Sequence, residues 1–94
     1  MQSEMAQVRE QLLGAPASVV IANHAMGIYE LAAIHLTADA PKLSEASLAI
    51  DALAALVDGL GDRLGEPTQT LREALAQLRA AYLEVRPRAE PGEA

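Results

Sequence analysis

The segment from Ala17 to about Ala38 is apolar on nearly every side, and it constrains the rest of the chain. Val19, Val20, Ile21, Met26, Ile28, Leu31, Ile34 and Leu36 do not share one stripe of a 3.6-residue helix. Such a helix either spans a bilayer or has to be covered all round. At ~1.5 Å per residue it would reach across a bilayer. Asn23, His24, Glu30 and His35 argue against a span, because a charged group at the centre of a membrane helix costs roughly 2.5–3.5 kcal/mol on insertion scales. No Lys or Arg cluster and no aromatic belt flanks the segment. The expectation is a helix buried on all sides in a soluble chain with no membrane partner.

The remaining segments read as simpler helices. Met5, Val8, Leu12 and Leu13 recur at helical spacing before Gly14, which has the freedom to end a helix. Pro16 fits the first turn of the next one. Asp39, Ala40 and Pro41 break the chain. Ala46, Ile50, Leu53, Val57, Leu60 and Leu64 then alternate spacings of four and three, the seam of a packed helix. Gly59, Gly61 and Gly65 weaken its end, so it frays or stops between Leu60 and Gly65. Pro67 opens the last helix, with Glu66 and Thr68 both candidates to cap it. Leu71, Ala74, Leu75, Leu78, Ala81, Tyr82 and Val85 form its apolar face.

Composition supports this reading. The chain has 94 residues, 51% hydrophobic, with twenty Ala, fourteen Leu and no Phe or Trp. Ala and Leu favour helix, and few residues favour strand. The expected fold is all-α: a short N-terminal helix plus a three-helix antiparallel bundle, assembled as an oligomer. Residues 1–14 form an arm. Residues 16–86 form the domain, with helices at about 16–38, 43–64 and 67–86. Residues 87–94, with Pro87, Pro91 and Gly92, form a flexible tail.

Charge and cysteine content exclude several functions. Seven basic residues against thirteen acidic ones give a net charge of −6, so the chain as a whole repels phosphate backbones. No DNA partner is expected, and RNA is disfavoured. With no cysteine, disulfides, thiolate metal sites and cysteine nucleophiles are absent. That fits a reducing compartment, and the polar stretch from Met1 to Glu10 does not read as a signal peptide. The expected location is cytoplasmic. There is no phosphate-binding glycine loop and no nucleophile elbow. No catalytic residue, metal ligand or cofactor is expected.

Each polar feature has a structural reading beside a functional one. His24 and His35 are eleven residues apart, ~16 Å along a helix and on nearly one face. One chain cannot bring both to one metal. Two crossing copies could, and a small metal- or ligand-binding protein using His24 and His35 is one alternative function. Otherwise each is a partly buried polar residue satisfied by a neighbour. Asn23, Gly27, Glu30, Ile34 and Thr37 make a polar and small-residue stripe. It is either a ligand site lined by Asn23 and Glu30 or a close helix crossing at Gly27, and the crossing is preferred. Tyr29 and Tyr82 read as core or rim anchors. Arg72, Arg79 and Arg86 repeat every seven residues and could contact RNA. The preferred reading is a solvated face, or pairing with Asp51, Asp58 and Asp62 across a hairpin at ~0.2–1 kcal/mol per exposed pair.

The order of motifs carries a resemblance. It runs from the apolar helix Ser18-Val19-Val20-Ile21 through Leu31-Ala32-Ala33-Ile34-His35-Leu36 to the link Asp39-Ala40-Pro41-Lys42. Leu43, Ala46, Ile50, Asp51 and Leu53 follow, then Leu75, Leu78, Arg79 and Tyr82. Over about three quarters of its length the chain resembles a bacterial family of small helical proteins, domain of unknown function 1844. The resemblance implies a small all-α cytosolic domain with no established activity. It also implies a translation- or ribosome-associated role as an alternative function, because some actinobacterial members lie beside genes for translation factors. The chain departs from the family in its helical arm before Gly14. The resemblance brings no catalytic residue. It does draw attention to Asp51 and Arg79, which would form an ion pair between the last two helices.

The expected function is therefore a non-catalytic interaction domain that associates with itself as a homodimer or higher oligomer. A different protein is the other candidate partner. The argument is area: one amphipathic hairpin covers one side of the helix at 17–38, and monomers avoid a large bare patch on the other. The expected interface residues are Val20, His24, Gly27, Ile28, Leu31 and His35.

Overall fold

The structure, a computed structural model, describes residues 2–88. It is all-α, with no strand among the described residues. Four helices run in order: α1 (Gln2–Gly14), α2 (Ala17–Thr37), α3 (Leu43–Leu60) and α4 (Pro67–Val85). Two 3-10 turns, Gly61–Leu64 and Arg86–Arg88, follow α3 and α4. The 3-10 turn occupies the start of the expected tail, and residues 89–94 lie outside the described residues.

The three longer helices each pack on the other two. The seam of α3 supplies Leu43, Ala46, Ile50, Leu53 and Val57 to the core, and α4 supplies Leu71, Leu75 and Leu78. Leu53, Val57, Leu64 and Leu71 are fully enclosed. Full burial of one such side chain contributes about 1.5–3 kcal/mol.

Local chemistry sets the boundaries. Ala38 is extended at φ −64°, ψ 154°, which ends α2. The Lys42 N–H donates to the His35 carbonyl at 3.2 Å and closes the link into α3. The helix expected over 43–64 is broken. Gly61 takes φ +54° and its N–H returns to the Val57 carbonyl. This left-handed geometry is available to glycine with little strain, and it turns the last residues into a 3-10 turn that still buries Leu64. Gly65, at φ +80°, makes the second bend. Neither Glu66 nor Thr68 caps α4 through its side chain. The Thr68 hydroxyl instead donates backwards, to the carbonyls of Gly65 at 2.7 Å and Gly61 at 3.3 Å.

The expectation that α2 is buried all round does not hold within one chain. Its buried residues are Ala22, Ala25, Ala32 and Leu36, all on one face. Small side chains there let α2 lie close to α3 and α4. The bulky Val19, Met26, Leu31 and Ile34 are left outside. The helix remains long and apolar enough to cross a bilayer by length and composition. The arm is barer still. Every residue of α1 from Ser3 to Gly14 is exposed, and the Cα radius of gyration is 16.1 Å, against about 12 Å for a compact chain of this length.

Candidate functional site

The helix repeat places Val20, Gly27, Leu31 and Ile34 opposite the alanine face of α2. The outward stripe they form spans fourteen residue steps, or ~21 Å. Leu31 is 49% exposed and Ile34 is 63% exposed. Gly27 lies one turn before Leu31 along the stripe, and a Cβ built on it meets nothing within 4 Å. The expected close crossing at Gly27 is therefore not made inside the chain. The space over Gly27 is open for another backbone.

The six expected interface residues divide. His24, Gly27 and Leu31 are exposed, while Val20, Ile28 and His35 are half-buried. Ile28 leans on the core, so it is a flank of the stripe rather than its centre. Ile34, expected in the polar and small-residue stripe, is the most exposed large side chain on α2. The seven-residue interval Val20, Gly27, Ile34 is the sequence signal that places it with the apolar residues.

The polar residues do not assemble a reaction centre. His24 Nδ1–H donates to the Val20 carbonyl at 2.9 Å, a bond within its own helix. No group of three His, Asp or Glu that could hold a metal ion occurs among the described residues. Asn23 borders a shallow depression with Ala22, Met26, Glu66, Pro67 and Thr70. Glu30 is not part of its wall, so the less-favoured alternative, a ligand site lined by Asn23 and Glu30, is not enclosed.

Asp51 and Arg79 line one groove of about 320 Å³ between α3 and α4, with Ser47, Ile50, Tyr82 and Leu83. They do not form the expected ion pair within 4.0 Å. The ion pair among the described residues is Arg72–Asp62, at 3.7 Å, with both side chains well exposed. The turn explains the offset. If Asp62 lies opposite Arg72, counting back along the hairpin puts Asp51 opposite Leu83 and leaves Arg79 about one helical turn away.

A second bare apolar stripe runs along α1. Met5, Val8, Leu12 and Leu13 border a shallow groove whose remaining walls are Glu4 and Arg9 of the same helix. Leu13 is 75% exposed. The periodicity of α1 was legible, but its lack of a packing partner in the chain was not. No family model, curated protein or solved structure matches the chain.

Proposed function

We propose that the protein is a non-catalytic helical interaction domain whose α2, α3 and α4 form an antiparallel three-helix bundle. Two copies associate over the outward stripe of α2. The observation that carries this reading is the exposure of Leu31 and Ile34 beside an unobstructed Gly27. Covering large half-exposed apolar side chains contributes several kcal/mol at ~25 cal/mol per Å². A glycine without a neighbour lets a second helix come close. The six interface residues proposed from the sequence keep their place, with Ile34 added and Ile28 at the edge.

The test is solution mass by light scattering across a concentration series. The native chain should be a dimer or larger, and Leu31→Lys with Ile34→Lys should reduce its mass. Leu48→Lys is the control, because Leu48 is 68% exposed on α3 and should leave the mass unchanged. A native chain that is monomeric throughout, or a double variant of unchanged mass, would overturn the proposal.

A further inference from the structure

We infer that the element covering the outward stripe of α2 is the α1 arm of a second copy. The inference rests on the self-association proposed above and names the part of the partner that performs it. Four observations converge on it.

The first is area. A stable interface buries about 800 Å² on each partner. The large exposed side chains on the outward stripe of α2 are Leu31, 49% exposed, and Ile34, 63% exposed. They offer on the order of 200 Å², about a quarter of the requirement. Met5, Val8, Leu12 and Leu13 of α1 are between 53% and 75% exposed and add roughly 400 Å². Using both stripes brings each chain most of the way to the area that a stable pair needs.

The second is length. α1 has 13 residues, or ~20 Å, and the stripe from Val20 to Ile34 is ~21 Å. The third is placement. The arm does not lie on its own chain, since every residue from Ser3 to Gly14 is exposed. Only Ala15 and Pro16 separate it from α2, and Pro16 is extended at φ −59°, ψ 138°.

The fourth is charge. On α1, Glu4 lies to one side of the apolar stripe and Arg9 to the other. On α2, Glu30 lies to one side and His24 to the other. If the two helices run in the same direction, Met5 and Val8 sit over Gly27 and Leu12 sits beside Leu31 and Ile34. That register also puts Arg9 beside Glu30. One alignment thus makes the apolar contacts and pairs these two charges.

The chain has no cysteine, so engineered pairs report contacts without background. Leu12→Cys protein is mixed with Leu31→Cys protein and oxidised gently. Both sites are exposed, and circular dichroism checks that each variant folds. The expected product is the mixed disulfide between Leu12→Cys and Leu31→Cys, with none between Leu12→Cys and Leu48→Cys. In the native chain Arg9→Glu should weaken association about fivefold, and adding Glu30→Arg should restore it to within about twofold. A Leu31→Cys self-link without the mixed product would overturn the arm's role and leave self-association over α2 standing. Closure of a Leu12→Cys/Leu31→Cys chain on itself at high dilution would overturn it in favour of the chain's own arm. Monomeric mass with neither link would overturn both this inference and the reading it rests on.

Discussion

The Thr68 hydroxyl donates to the Gly65 carbonyl at 2.7 Å and joins the first turn of α4 to the bend that precedes it. Thr68 is the one buried polar residue among the described residues. Its second contact, to the Gly61 carbonyl at 3.3 Å, reaches across the whole 3-10 turn. Valine would keep the shape and remove the donor. Leaving those carbonyls without it should cost about 1–2 kcal/mol. Urea denaturation of Thr68→Val should show a lower midpoint with an unchanged slope. An unchanged midpoint would mean that the turn is held by packing alone.

Two glycines at the end of α3 should respond in opposite directions to alanine. Gly59 is helical and a Cβ there meets nothing within 4 Å. Gly59→Ala should stabilise the fold by about 0.5–1 kcal/mol, because alanine loses less backbone entropy in a helix. Gly61 has φ +54°, where any L side chain is strained. Gly61→Ala should cost about 1–2 kcal/mol. Thermal unfolding of the two variants side by side checks the sign, which decides whether the break after Leu60 requires glycine.

These contrasts show what the residues encode locally. Ile50, Leu53, Val57, Leu71, Leu75 and Leu78 repeat at helical spacing, so their periodicity locates the hairpin core, and all six are buried. α2 carries apolar side chains in every direction and has no such phase. Which side faces inward is decided by size: Ala22, Ala25 and Ala32 fit beneath two helices where Leu31 and Ile34 would hold them apart. That choice depends on the shape of α3 and α4, which no single-helix pattern contains. The ion pair was misplaced for a related reason. Arg79 follows Arg72 by seven residues, but the register across the hairpin is set by the turn at Gly61 and Gly65. The outward stripe was legible in part, through Gly27 and Leu31. The bare arm was not, because an amphipathic pattern says that a helix has a face to cover and not where the cover comes from.

From Ser3 to Gly14 the arm contributes no buried residue, so its removal should be almost neutral for the isolated fold. A chain lacking residues 1–14, studied at concentrations where the native chain is monomeric, should unfold within about 0.5 kcal/mol of native. At high concentration the two should diverge, because an associating native chain gains stability by mass action and the shortened one loses that gain. A truncated chain destabilised by several kcal/mol at all concentrations would show that α1 packs on its own domain in solution.

Gly27→Ala separates the folding of one chain from the pairing of two. Within the chain Gly27 is in the middle of α2 and exposed, with no atom within 4 Å of a built Cβ. For folding alone, alanine should therefore add about 0.5–1 kcal/mol of stability by restricting the unfolded backbone. At an interface the same methyl group occupies the space through which a second helix approaches. Packed surfaces give way poorly to an added carbon, and the cost of overpacking is typically ~1–3 kcal/mol. Association should then weaken by about tenfold, as 1.4 kcal/mol of that cost requires. Denaturation at low concentration reads the first effect, and light scattering at high concentration reads the second. Opposite signs in the two measurements would place Gly27 at the contact between copies. A gain in stability with unchanged association would place that contact elsewhere on the molecule.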